Sequence, residues 1–519
     1  MSQNKSWKEV QFITGVLFLI AYWYFGYDGI TFSDDVTYLN FGQSFWKGLP
    51  YPDDSHFGHR WGAFIFSGFF TFIFGFSDRI GSLASLSFVL TTFILLYHQI
   101  KDNNSRFWFT LFFCTQVYFL HFSNKVYPDP ILAFWVCLVP LAASFRSKSP
   151  ISMALVMALS LIIGFSTKEM MVFLLPFPII LFVIDLKNKV NLKFHLYFVS
   201  FSIIILGSFF IWYGLVEGNL FARFSSVNEG HYISEFTYAD KGALAILQRI
   251  SYLPILTFIE RSYWIWIVLA LPGLIKTFLS KKEFYVEMSI ATLCLLFGFW
   301  FMSSTLEFYN PIYLNPRHLI ILVPILSVLI AYGYDSWEKW NFHLAGLLFF
   351  GSLVSLFQSD FQMSVYQAVF ALIFAAPIKK SFTKLSLSIL LLAPVILSIA
   401  YQRKNKNYQY FKNTLTYTTE RIDNQYVIYT NSFVYFSQNV LLGNSETEAK
   451  TVLDIQQLNL KIHLANKEFY LLNYKYFKHA YPEEETYLKK FRLKVDTMGF
   501  QQEVVSDDPW IQVIRYYRE

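Results

Sequence analysis

The chain has 519 residues, 55% of them hydrophobic and 20% aromatic, and only 15% charged, where soluble domains carry about 25%. A chain this poor in charge cannot cover itself with a solvated surface, which excludes a soluble enzyme or receptor domain. Its net charge of +6 is spread through short connections beside apolar runs, so it is not the clustered patch of a nucleic-acid-binding protein.

In chain order, apolar runs long enough to cross a bilayer fall near 10–27, 79–98, 107–122, 129–145, 151–165, 170–185, 194–216, 262–279, 286–303, 317–333, 342–358, 362–378 and 383–400. That predicts a mainly α, polytopic membrane protein of about thirteen transmembrane helices. The first run, Val10 to Tyr27, lacks a small-residue cleavage site and reads as a retained anchor. Ala63 to Phe76 is short for a crossing and reads as a re-entrant or interfacial helix. Cys114, Cys137 and Cys294 all lie inside apolar runs without metal-like spacing and read as core residues. Basic residues gather in alternate connections, for example Lys5 with Lys8, Arg146 with Lys148, and Lys187 with Lys193. The positive-inside bias then predicts a cytoplasmic N-terminus. Loops 28–78 and 217–261, and everything after Tyr401, face outward.

The first outer loop holds most of the polar chemistry. Ser33 is predicted to cap a helix from Asp34 to about Lys47. Tyr38, Phe41, Phe45 and Leu49 share one face of it, suited to lying flat at the membrane surface. Gly48-Leu49-Pro50-Tyr51-Pro52 ends it. His56 and His59 have a spacing loosely compatible with a metal but are more often loop residues. The second loop, with Glu229, His231, Glu235 and Asp240, suits a lid. After Tyr401 a polar linker, Gln402–Asn407, leads to a small α/β domain. Its strand-like runs are Tyr426–Thr430, Val434–Phe436, Phe469–Asn473 and Trp510–Tyr517, with a helix-like run at Glu485–Leu493. The domains expected are therefore 1–400 and 401–519.

Charged residues at the outward ends of spans need explaining: Asp34 and Asp35, Asp129, Lys168 and Glu169, and Arg317. Ionisable groups at spans are costly and are functional candidates by default. A carboxylate can take a proton from an acceptor hydroxyl. Lysines and arginines can hold a phosphate as it leaves. A sugar on a lipid phosphate needs both. Other readings stay open: the acids as helix-end charges, Asp129 as a turn residue, Lys168 and Arg317 as snorkelling anchors.

Together these residues resemble the GT-C integral-membrane glycosyltransferases, in the branch of protein O-mannosyltransferases and the lipid A aminoarabinose transferase. The resemblance rests on Asp34-Asp35-x-x-Tyr38, on Gly48-x-Pro50-Tyr51 with the loop closing at Arg60, on Tyr127-x-Asp129 with Ser166-Thr167-Lys168-Glu169, and on Pro316-Arg317-His318. It covers about residues 8–400. It implies a polyprenyl-phosphate-sugar donor, an acceptor protein, lipid or glycan, a surrounding lipid membrane, and inverting transfer at the extracytoplasmic face, in a bacterial inner membrane. By the same resemblance, Asp34 is the catalytic acid with Asp35 as close alternative, and Asp129 positions base or acceptor. Lys168, Arg317 and Arg60 bind the phosphate, while Tyr38, Tyr127, Glu169 and His318 line the substrate site. Some relatives carry a divalent metal and others do not, so no metal ligand is assigned. The departures are Asp35 where Glu is usual, His318 where Tyr is usual, and Arg60-Trp61-Gly62 in place of a proline pair. Rival readings are a transporter or flippase of lipid-linked saccharides, which calls for repeated broken helices not seen in the sequence, a polymerase or ligase, and a non-catalytic assembly or receptor protein with the outer tail as its working part.

Overall fold

A computed structural model describes residues 2–49, 56–230, 237–279, 282–305, 308–376, 380–421, 426–443, 452–457 and 468–518. Among them, seven helices are long and apolar enough to cross a membrane, or nine if each of two bent pairs is one crossing. The protein is a polytopic integral membrane protein with a small C-terminal α/β domain, as its composition predicts. The count is lower than the number of apolar runs because several runs fold as short pieces. Tyr263–Leu279 has 17 residues and Phe361–Ala375 has 15. Pro316–Phe357 is also one helical stretch where the sequence reading separates 317–333 from 342–358.

Val323–Gly333 is the centre of the bundle, with every residue buried. Leu192–Val216 is on its outside, with Leu196, Ile203 and Leu215 exposed, the outward apolar face that lipid contact requires. The three cysteines are free and buried.

Three N-terminal helices set up the polar end: α1 (Ser2–Phe25), α2 (Asp34–Lys47) and α3 (Trp61–Phe74). α2 occupies the residues expected of it and ends at Gly48, where φ is +66°. Tyr38 and Phe41 are buried while Phe45 and Leu49 are exposed, and α2 packs closely against α3. A Cβ on Gly68 would stand 2.2 Å from the Gly42 carbonyl oxygen, so only glycines allow this approach. Ser33 sits at the N-cap but makes no capping bond with its side chain; Asp35 satisfies that backbone instead.

Between Val117–Ser123 and Pro128–Ala143 the chain bends by 110°. The Lys125 carbonyl freed there accepts from Ser85 Oγ at 2.6 Å, and the Asn124 side chain ties the bend to α1's end by donating from Nδ2 to Gly26 O at 2.9 Å. Irregular backbone at membrane depth is tolerated only with such partners. The bend is what presents Tyr127 and Asp129.

The C-terminal sheet comprises β1 (Val427–Thr430), β2 (Val452–Asp454), β3 (Glu468–Tyr474), β4 (Gln501–Asp507) and β5 (Ile511–Tyr517), in the order β2-β1-β3-β5-β4. β1 pairs in parallel with β2 and β3, and β5 is antiparallel to β3 and β4. The helix Glu483–Thr497 contains the run expected to be helical. Val434–Phe436, expected as strand, lies in the helix Ser432–Phe436; so short an apolar run has no period to read. The expected linker 402–407 is also corrected. The helix Lys380–Asn405 runs into it, and Lys406 is buried.

One core cluster joins the segment after α1 to this domain. Ile30, Phe32 and Leu39 pack with Phe411, Leu472 and Phe477.

Candidate active site

The backbone from Tyr27 to Ser33 is irregular and delivers two adjacent acids to different environments. Asp35 is 1% exposed. Its carboxylate accepts from Thr31 N at 2.6 Å, Thr31 Oγ1 at 2.9 Å and Ser33 N at 3.2 Å. Asp34, about 100° further round the helix, accepts from Arg317 Nη1 through Oδ2 at 2.8 Å. The Arg317 guanidinium lies over the Tyr127 ring at 5.1 Å, and Tyr127 Oη pairs with Thr31 Oγ1 at 2.7 Å. Asn315 caps the turn carrying Arg317 by accepting from its N–H at 3.1 Å.

Two further ion pairs adjoin. Lys168 sits at the break between Pro150–Thr167 and Glu169–Asn188, and its Nζ donates to Asp129 Oδ1 at 2.6 Å. Arg60, at the start of α3, holds Glu169 with two bonds, 3.1 Å from Nε and 2.6 Å from Nη2, and donates to Tyr38 Oη at 3.0 Å. Arg223 Nη2 reaches the same carboxylate at 3.3 Å. His318 bonds through Nδ1 to Tyr313 O at 3.1 Å.

Exposure separates these pairs. The Asp34 and Arg317 side chains are 19% and 23% exposed, against 10% or less for Arg60 with Glu169 and 3% or less for Lys168 with Asp129. Asp34 and Arg317 are therefore the most accessible of the three pairs. Burial opposes ionisation of Asp34, but Arg317 and then Arg60 outweigh it and hold the carboxyl below its ordinary value. Burial raises the Asp35 carboxyl despite its bonds from Thr31 and Ser33. Burial lowers the Lys168 ammonium to about 8, with Asp129 opposing and Arg317 reinforcing the shift.

The charged residues singled out at the span ends thus fall, with Arg60, Tyr38, Tyr127 and His318, in one cluster at one end of the bundle, with Asp35 turned inward from it. The histidines His56 and His59 lie beside aromatic rings, Phe57 and Tyr213 respectively. Among the described residues no three His, Cys, Asp or Glu side chains group to hold a metal. Asp34, Asp129 and Glu169 each face a cation, so this donor set does not fit one. His231 and Glu235 of the second loop lie outside the described residues, as does the Glu229 side chain; Asp240 is exposed.

Sequence reasoning missed Arg223, a lone arginine in a polar loop with no pattern around it. It also missed Thr31 and the group around Asp28. There Lys125 Nζ lies 2.5 Å from the carboxylate and Lys406 Nζ 3.6 Å. Lys125 stood in the Lys-Val-Tyr-Pro-Asp-Pro motif, but its partner lies 97 residues away.

No family model and no curated protein sequence matches the chain. Solved structures do. ArnT from Cupriavidus metallidurans bound to undecaprenyl phosphate superposes with a TM-score of 0.58 at 13% identity, over 97% of both chains. The apo state of ArnT from the same organism gives a TM-score of 0.50 at 12% identity, over 88% of this chain and 87% of that one. The chain shares the fold of ArnT over nearly its whole length.

Proposed function

We propose that the protein is a glycosyltransferase. It moves a sugar from a polyprenyl-phosphate donor to an acceptor hydroxyl at the extracytoplasmic face of a bacterial inner membrane, with inversion. The N-terminus is then cytoplasmic, residues 1–400 form the catalytic membrane domain, and loops 28–78 and 217–261 and the domain 401–519 lie outside. The observation that carries this reading is the convergence of Asp34, Arg317, Lys168 and Arg60 from four separate elements. The fold shared with ArnT and the undecaprenyl phosphate named with that structure support it.

In this mechanism Asp34 accepts the proton of the acceptor hydroxyl. The acceptor oxygen bonds to the anomeric carbon from the face opposite the phosphate, and the bond from that carbon to the phosphate oxygen breaks. The charge arriving on the lipid phosphate is met by Arg317 and Lys168. Asp129 holds Lys168, and Arg60 with Glu169 fixes Tyr38 on the floor of the site. Tyr127 and His318 flank Arg317. Arg317 is also the partner of Asp34, so a donor phosphate that draws the guanidinium away leaves Asp34 the stronger base.

The test uses purified protein in nanodiscs with undecaprenyl-phosphate pentoses and hexoses, and measures release of undecaprenyl phosphate. Asp34→Asn is expected to lose about 10²-fold or more in turnover and to keep its affinity for undecaprenyl phosphate. Equal turnover by Asp34→Asn and the parent protein would overturn the assignment.

A further inference from the structure

The five residues from Asp28 to Phe32, between α1 and α2, are each fixed from outside their own segment, and most of the contacts come from beyond residue 400. Asp28 lies 2.5 Å from Lys125 Nζ. Gly29, at φ +83°, lies under the Tyr408 ring, which a Cβ there would strike at 2.0 Å. Lys406 Nζ donates to Ile30 O at 2.6 Å, and Tyr481 Oη donates to Thr31 O at 2.8 Å. Phe32 is fully buried, with its ring against those of Phe411, Tyr474 and Phe477.

Phe32 also stands at φ +60°, a left-handed conformation that a bulky residue adopts only when its surroundings impose it. The surroundings here are the aromatic core of the C-terminal domain. Two residues later the chain reaches Asp34. Thr31, held by Tyr481 through its carbonyl, gives its N–H and hydroxyl to Asp35 and also pairs with Tyr127, over which Arg317 lies. A continuous path of bonds and ring contacts therefore runs from the C-terminal domain to both members of the Asp34–Arg317 pair.

We infer that the C-terminal domain is the splint that sets the position of Asp34, with Tyr481 and Phe32 as positioning residues that touch no reactant. Its effect on turnover rests on the transferase reading above; its effect on the loop does not. Other bonds also attach the domain to the polar end of the bundle: Lys412 pairs with Asp78 at 2.9 Å, Tyr408 donates to the same carboxylate at 2.8 Å, and Arg403 donates to Phe25 O at 2.8 Å. Loss of a single bond at Tyr481 thus leaves the domain docked and loosens only the loop.

The experiment compares Tyr481→Phe with Arg515→Gln in full-length protein in nanodiscs. Arg515→Gln removes partly buried and exposed ion pairs with Glu468 and Glu503 elsewhere in the same domain and serves as the control for general loosening. Two quantities are read: hydrogen exchange by peptide, and release of undecaprenyl phosphate from undecaprenyl-phosphate sugars. In Tyr481→Phe, exchange in residues 28–36 is expected to rise about tenfold, the change in opening that one lost hydrogen bond produces. Strands β1 and β5 stay unchanged. Turnover is expected to fall about tenfold with the donor KM constant, while Arg515→Gln changes neither. Unchanged exchange in 28–36, or a rise shared with β1 and β5, overturns the splint whatever the protein's activity. Parental turnover in Tyr481→Phe beside an inactive Asp34→Asn overturns the positioning role alone. An active Asp34→Asn overturns the base assignment and leaves the splint to be judged on exchange.

Discussion

Glu169→Gln removes one negative charge from between two buried guanidiniums. Arg60 grips both carboxylate oxygens, at 3.1 and 2.6 Å, and Arg223 donates to one of them at 3.3 Å. Arg223 is 1% exposed, and among the described residues its Nε and Nη1 have no hydrogen-bond partner and Glu169 is the carboxylate it pairs with. Breaking a buried pair from one side costs about 3–5 kcal/mol, because the other charge is left stranded. Arg60 keeps its bond to Tyr38, and the glutamine oxygen still accepts, so the lower end applies: about 3 kcal/mol, or about a hundredfold in the unfolding equilibrium. Reversible unfolding in mixed detergent and SDS micelles measures it. The decisive comparison is a cycle with Arg223→Met, which removes the charge that Glu169→Gln strands. If the stranded charge causes the loss, the double variant recovers about 2 kcal/mol relative to the sum of the singles. Additivity within about 0.5 kcal/mol would show the two side chains to be energetically independent and refute the reasoning.

Lys168 provides a pH dependence. Burial holds its ammonium at about 8, so its positive charge is present below that pH and lost above it. Affinity for undecaprenyl phosphate, followed by fluorescence between about pH 7 and pH 9.5, should fall through the upper half of that range, and Lys168→Arg should abolish the fall. Asp34 has the opposite sign. Its carboxyl is held low by Arg317 and Arg60 despite burial, so it stays ionised until well into acid. kcat/KM, which reports the free protein, should be level from about pH 7 to pH 5, and a loss centred near neutrality would point to another base. Gly68→Ala meets Gly42 backbone at 2.2 Å and should destabilise by about 1–3 kcal/mol. Gly207→Ala, with nothing within 4 Å, should be neutral or stabilising; thermal denaturation separates the two.

The class of fold was legible because hydrophobic length is a local property. Each apolar run announces itself, as does the helix at Asp34–Lys47 with Gly48 behind it. The site was legible for a related reason. A charge at the end of an apolar run has few places to go, so Asp129, Lys168 and Arg317 stand out one at a time. Their pairing is a different kind of fact. Asp34 and Arg317 are far apart in sequence, and nothing local says that Asp129 takes Lys168 while Arg60 takes Glu169. The number of full crossings was not legible either, since runs such as Phe361–Ala375 differ from crossings only in where the bundle cuts them short. Least legible was the polar stretch 402–407. Its composition reads as a tether, and its role is decided by Lys406 meeting Ile30 O across 376 residues.

The two neighbouring acids show how far local pattern carries. Asp34 and Asp35 are chemically identical and adjacent, and sequence alone leaves either as the base. Helical geometry separates them, because successive side chains point about 100° apart and only one can face the opening. The inward acid meets a coil segment whose N–H groups need an acceptor, and Asp35 supplies it to Thr31 and Ser33. The outward acid meets Arg317. Asp35→Asn therefore trades an acceptor oxygen for an N–H group against backbone donors, and a buried donor left facing a donor costs about 1–3 kcal/mol. The expected result is lower yield and thermal stability, with turnover per folded molecule kept within about tenfold of the parent, while Asp34→Asn folds normally and is inactive. A stable but inactive Asp35→Asn, beside an active Asp34→Asn, would reverse the assignment of the two carboxylates.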